Sequence, residues 1–196
     1  GTSLVVTLWA GNPGTQPGIL HLVDVTDPTA PSVVGSADLP AIGTRMAAGA
    51  GRIVVAGQGL HVIDITTPSA PELVGSLEAW IVGDVALHPD GTVAYAADGA
   101  VGLRVVDLAD PANPVTLATA DVPQANRDMV WHRDMVFMAS QSSGLHVVDV
   151  AGPAPPQLRG RFALAPWSST HAMAVDEHRA YVAFDTPQDL WTVGVF

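Results

Sequence analysis

Apolar residues come in short runs along this chain, and polar turn formers punctuate them. From Val85 onward the order is "VALH", "PDG", "TVAYAA", "DGAVG" and "LRVVDL". Runs rich in Val, Ile and Ala, bounded by Gly, Pro, Asn and Asp, read as strands. "HPDGT", His88 to Thr92, reads as a hairpin turn whose Asp90-Gly91 pair suits positive φ. No stretch holds a 3.6-residue apolar period long enough for a helix. Runs such as "HVIDI" are apolar without clean alternation, the pattern of a strand covered on both faces.

The runs repeat. Four segments align: "GILHLVDVTDPTAPSVVGSADLP" from Gly18, "GLHVIDITTPSAPELVGSLEAW" from Gly59, "GLRVVDLADPANPVTLATADVP" from Gly102 and "GLHVVDVAGPAPPQLRGRFALA" from Gly144. Their shared Asp stands at 24, 64, 107 and 149, with spacings of 40, 43 and 42. Between them lie paired apolar runs such as "RDMVWHRDMVFMASQ" and "HAMAVDEHRAYVAFD". Each period therefore holds four short strands, A to D. About 42 residues and four antiparallel strands per repeat is the signature of a β-propeller blade. The expected fold is all-β: a single propeller arc with a partial blade over 1–39, blades over 43–79, 83–121 and 126–163, and a partial blade over 170–196. The first supplies strands B to D and the last strands A to C, so edges are left bare, which invites pairing. The expectation is a longer propeller of about five to seven blades, of which this chain is a part.

"GLHVVDV", "GLRVVDL" and "GLHVIDI", each followed by a Pro-containing turn and a "P-x-L-V-G-S"-like strand, resemble the LVIVD-repeat β-propeller family over essentially the whole chain. The resemblance is specific for architecture and nearly silent on chemistry. It implies bacterial or archaeal surface or exported modules of longer chains. The fourth segment departs from the pattern: "VAGPAPPQLRG" lacks the usual Asp/Thr-Pro opening and places Arg159 where the others carry an apolar residue.

Composition narrows the function. The net charge is −11, which disfavours neutralising the phosphates of nucleic acid or an anionic membrane. No apolar run approaches the roughly 20 residues of a membrane span, so no direct membrane insertion is expected. There is no Cys, which removes thiolate zinc sites and Cys nucleophiles and fits an extracellular, periplasmic or cell-surface location. "GAG" at 49–51 precedes a strand and not a helix, so it is no nucleotide loop. No cofactor is expected.

Residues that recur are wall. Asp24, Asp64, Asp107 and Asp149 close strand C before a turn, where Asp accepts turn N–H groups. His21, His61 and His146 share a position that Arg104 fills in the third repeat, which suits a packed or hydrogen-bonded side chain on the blade surface better than a metal cluster. His88, His132 and His178 lie at turns and read as solvated. Function on a repeat scaffold is sought where copies differ. Two positions at the start of strand A do: Thr44, Gly83, Arg127 and His171, then Arg45, Asp84, Asp128 and Ala172. Arg45, Asp84, Arg127, Asp128 and His171 are the candidate ligand-binding set at the channel mouth, with a loop brace as the bland alternative. No nucleophile, base and orienter can be assigned among them. Two Asp and one His suit a divalent cation, against which Arg45 and Arg127 count. Trp9, Trp80 and Trp167 fall in loops on the same face, where Trp marks either a protein- or glycan-binding surface or plugs between blades. The expectation is a non-catalytic recognition or scaffold module binding protein or glycan. An enzyme or metal site at the channel mouth is one alternative, and a structural subunit of a larger complex is another.

Overall fold

The computed structural model describes residues 3–8, 18–40, 43–122, 128–140, 143–152, 155–164, 169–185 and 192–195; Trp9, Arg127, Trp167 and Trp191 lie outside them. Sixteen strands and no helix make up these residues. All strand pairs are antiparallel. They form a three-stranded sheet of β1 (Ser3–Leu8), β2 (Gly18–Asp24) and β3 (Ser32–Leu39), a six-stranded sheet of β4 to β9, a four-stranded sheet of β10 to β13 and a three-stranded sheet of β14 to β16.

The six-stranded sheet is two four-strand units joined by long strands. In β5 (Arg52–Asp64) the first arm pairs with β4 (Gly43–Gly49), from Gly43↔Gly57 to Gly49↔Arg52. Its second arm pairs with β6 (Glu72–Leu87), from Leu60↔Leu77 to Asp64↔Glu72. The arms fold on each other: the Ile65 N–H donates to the Gly51 carbonyl at 2.9 Å. Gly59 sits at the reversal with φ of 95°, a conformation nearly closed to residues with a Cβ. Gly102 and Gly144 repeat it with φ of 91°. β6 likewise leaves one unit and enters the next, where its far end pairs with β7 (Val93–Asp98). β8 (Gly102–Asp107) and β9 (Val115–Ala120) complete that unit.

The fourth unit is β10 (Asp128–His132), β11 (Met135–Ser140), β12 (Gly144–Asp149) and β13 (Gln157–Phe162). The last sheet is β14 (Ser169–Val175), β15 (Ala180–Asp185) and β16 (Thr192–Val195). Strand order A-B-C-D read from the sequence matches the order of pairing throughout. A β-bulge recurs in the C–D pairing of all four repeats, at Leu22/Val23, Val62/Ile63, Val105/Val106 and Val147/Val148.

The core is not inside any one sheet. Among the described residues, four apolar clusters each lie between consecutive units. Leu20, Leu22 and Leu39 pack on Ile53, Val55 and Ile63. Val54, Leu60 and Val62 pack on Val85, Ala94 and Val106. Tyr95, Leu103 and Val122 pack on Met129, Val136 and Met138. Leu145 packs on Ala180 and Val182. Middle strands are thus covered on both faces, and both arms of β5 are buried almost throughout. Outer D strands are exposed, with Val33, Val115 and Leu117 at least half open to solvent. Each unit depends on its neighbours for burial, the energetics of a repeat array.

Adjacent units also interlock through turns. At Gly35 an added Cβ would collide with the Pro68 carbonyl of the next unit's C–D turn, and at Gly75 with that of Pro111. These glycines are where one backbone passes against another.

Candidate functional site

The recurrent residues do what short polar side chains at a strand end can do. Asp24, Asp64, Asp107 and Asp149 each accept the backbone N–H two residues on, from Thr26 at 2.8 Å, Thr66 at 2.7 Å, Ala109 at 2.8 Å and Ala151 at 2.9 Å. The Thr26 and Thr66 hydroxyls add a second bond. These bonds hold the Asp24 and Asp64 carboxyls below the usual range, the hydroxyl contributing most. Arg159, the departure in the fourth segment, lies at its bulge and pairs with Asp149 at 2.8 Å. The recurrent histidines bond locally: His21 to the Ser36 hydroxyl at 2.7 Å, His61 to that of Ser76 at 2.9 Å and His146 to that of Ser143 at 2.8 Å.

The two variable positions at the start of strand A have distinct backbone roles. The first is the extra residue of a bulge: pairing jumps from Gly43 to Arg45, from Val82 to Asp84 and from Thr170 to Ala172, skipping Thr44, Gly83 and His171. Bulges re-aim side chains. The second is in register, with Arg45 opposite Ala56, Asp84 opposite Ala97, Asp128 opposite Ala139 and Ala172 opposite Ala183.

At this second position the carboxylates reach forward by one repeat. Asp84 Oδ2 accepts the Met129 N–H at 2.6 Å, and Oδ1 accepts its own neighbour Val85 N–H at 2.9 Å. Asp128 Oδ2 accepts the Met173 N–H in the same way. Val85, Met129 and Met173 occupy one repeat position, so each Asp ties its A strand to the next. Thr170 adds a third tie, its hydroxyl donating to the Ser140 carbonyl at 2.9 Å. Asp84 is only 5% exposed. Burial pushes its carboxyl up to about 7, and the adjacent Asp128 carboxyl adds repulsion and a shared hydrogen bond; the Val85 and Met129 N–H groups oppose the rise. A carboxyl protonated near neutrality is poised for acid–base chemistry. Here both of its oxygens face backbone donors in a sealed position, which makes it a clasp.

Of the other candidates, His171 lies half-buried with Nε2 3.4 Å from Asp185 Oδ2. Arg45 is exposed on β4, one repeat before Asp84. Trp80, expected in a loop, lies within the unbroken strand β6 where it crosses between units; its side chain is outside the described residues. Among the described residues, no three His, Asp or Glu side chains are placed to share a metal ion.

Two acidic residues at this end escaped the sequence reading. Asp98 ends β7 fully buried, paired with Arg104 at 2.6 Å, and its Oδ1 accepts the Ala100 N–H at 2.8 Å. Asp185 ends β15 as the partner of His171. The signal for Asp98 was available: Arg104 replaces the recurrent His in the repeat whose strand B ends in Asp98, whereas Gly57 and Ser140 stand at that place in the repeats of His61 and His146.

Comparison with known proteins gives an architecture. A family model described as LVIVD repeat matches residues 15–38, 53–79, 82–121 and 133–163. No curated protein matches the sequence. Among solved structures, the computationally designed Ika4 protein is similar, with a TM-score of 0.58 and 14% identity, over 80% of this chain and 91% of that one. At that identity the likeness carries the fold alone.

Proposed function

The chain belongs to the LVIVD repeat family, and on that premise we propose that its sheets are blades of a β-propeller serving as a non-catalytic recognition or scaffold module of an exported protein. The face at the starts of the A strands, which carries Trp80 at the crossing of β6 and by sequence Trp9 and Trp167, meets a protein or glycan. One observation carries the non-catalytic part. The acids that single out this end are engaged in structure: Asp84 and Asp128 tie one repeat to the next through the next A strand's N–H, and Asp98 pairs with Arg104 within its own unit. Side chains so engaged set the spacing of the A strands and leave recognition to the loops around them. Consecutive sheets sharing cores, with A strands tied together and D strands open to solvent, support the radial arrangement.

The test is binding of the purified protein to glycan and peptide arrays. Binding that disappears in Trp80→Ala or Trp167→Ala, with unchanged thermal melting, supports the reading. Turnover of any substrate in a broad chromogenic panel, abolished by Asp128→Asn in a folded protein, overturns it.

A further inference from the structure

Consecutive units meet through one equivalent pair of A-strand positions: the end of strand A on one unit and the residue before that end on the next. At the junction of the second and third units, Gly49 faces Leu87. At the next junction His88 faces Trp131, with ring centroids 5.1 Å apart and planes at 74°, an edge-to-face packing. At the junction of the fourth unit with the last sheet the pair is His132 and Val175. Strand register makes the equivalence explicit: Leu87, Trp131 and Val175 sit opposite Ala94, Val136 and Ala180.

His132 therefore repeats the environment of His88 with its indole removed. A cavity of about 310 Å³ opens there, lined by His132, Val175, Phe137, Leu145, His178 and Arg179 among others. Its volume is at the small end of ligand sites. Its floor is apolar and aromatic. Nε2 of His132 is buried and has no hydrogen-bond partner among the described residues, whereas the ring of His88 pairs with Asp90 at 2.8 Å. The acids of the rim are engaged: Asp176 accepts the N–H groups of His178 and Arg179 and the Tyr181 hydroxyl, and Glu177 pairs with Arg133 at 3.0 Å. Arg133 and Arg179 balance these two carboxylates, so the rim does not select a charged ligand.

We infer that this cavity is a binding site for a small, neutral, planar aromatic molecule, which takes against His132 the place that Trp131 takes against His88 and presents a hydrogen-bonding group to Nε2. The site is at the far end of the A strands from the Trp-bearing loops, so it stands or falls separately from recognition there.

The probe is indole, titrated against the intact protein by calorimetry and by NMR of the histidine rings, with cyclohexanol as a non-aromatic control. Saturable indole binding that shifts the His132 ring and leaves the His88 ring unmoved is expected, with cyclohexanol at least about ten-fold weaker, a difference of about 1.4 kcal/mol. Val175→Trp restores the neighbouring junction's filling and should abolish binding; Val175→Phe serves if the larger ring disturbs folding. The proposal fails if indole does not saturate, if His132 does not respond, if cyclohexanol binds equally or if a folded filled variant binds like the parent.

Discussion

Replacing Asp84 by Asn removes a charge from the most strongly perturbed carboxyl described. The folded protein holds this group at about 7 against 3.8 for an ordinary Asp. Each pKa unit is worth about 1.4 kcal/mol, so ionising Asp84 in the folded state costs about 4 kcal/mol. Because the folded value is raised, the folded state binds the proton more tightly. Its contribution is then fully present below pH about 4 and is lost as pH rises through about 7. Asp24, Asp64, Asp149 and Asp176 act in the opposite sense. Turn N–H groups and partner side chains hold them low, so their contribution is present above the ordinary Asp value and lost as the solution is acidified. The buried His61 and His146, whose pKa values burial lowers, add stability as pH rises toward 6.5, so the Asp84 contribution is read as the difference between parent and variant.

In Asp84→Asn the new amide keeps one carbonyl oxygen for one of the two N–H groups and leaves the other short of an acceptor, a roughly constant cost of about 1 kcal/mol. Urea unfolding followed by tryptophan fluorescence, from pH 4.5 to 8.5, separates the two effects. Relative to the variant, the parent loses stability across that range as Asp84 ionises, and the curves cross. A difference between parent and variant that does not fall as pH rises refutes the buried-clasp account.

Three further outcomes are expected from denaturation experiments. Gly75→Ala drives a Cβ into the Pro111 carbonyl of the next unit and should cost at least about 2 kcal/mol, whereas Ala118→Gly, at the equivalent position one repeat on, should be tolerated. Arg104→Ala leaves the fully buried Asp98 uncompensated and should cost about 3 kcal/mol; adding Asp98→Ala, which removes the stranded charge, should recover most of it in a double-mutant cycle. Thr170→Val removes the donor to the Ser140 carbonyl and should cost about 1 kcal/mol, with no change in the urea m-value.

Strand order was legible because local chemistry and tertiary burial agree at each turn. Asp24, Asp64, Asp107 and Asp149 announce turns that their own side chains then close. The fusion of strands in β5 and β6 was not legible. A turn as tight as the one at Gly59, and a crossing as direct as the one at Trp80, keep ladder bonds through segments that read as loops. Asp84 and Asp128 were visible as departures from the repeat, but their partners were not, since both accept backbone N–H groups 45 residues away. A backbone donor has no identity in a sequence. The His171–Asp185 and Asp98–Arg104 pairs join groups whose approach depends on where a bulge or a strand end points them.

Departures from the repeat thus divide by what changes. Where charge changes, the short side chain finds a partner across the junction or along its own sheet and becomes a tie, as Asp84 and Asp98 do. Where volume changes, the junction does not close up. The β10–β13 sheet is fixed by cores on both faces and by A-strand ties, so a smaller residue leaves a gap instead of drawing the sheets together. Val175 in the place of Trp131 opens the cavity at His132. The third junction shows the converse: Ala118 stands where Gly35 and Gly75 admit the next turn, and a cavity of about 380 Å³ lies beside it, lined by Val105, Leu117, Ala118, Val150 and Pro156 among others. A repeat array with rigid spacing therefore turns single changes of side-chain size into pockets, and a residue-by-residue comparison of its junctions locates them.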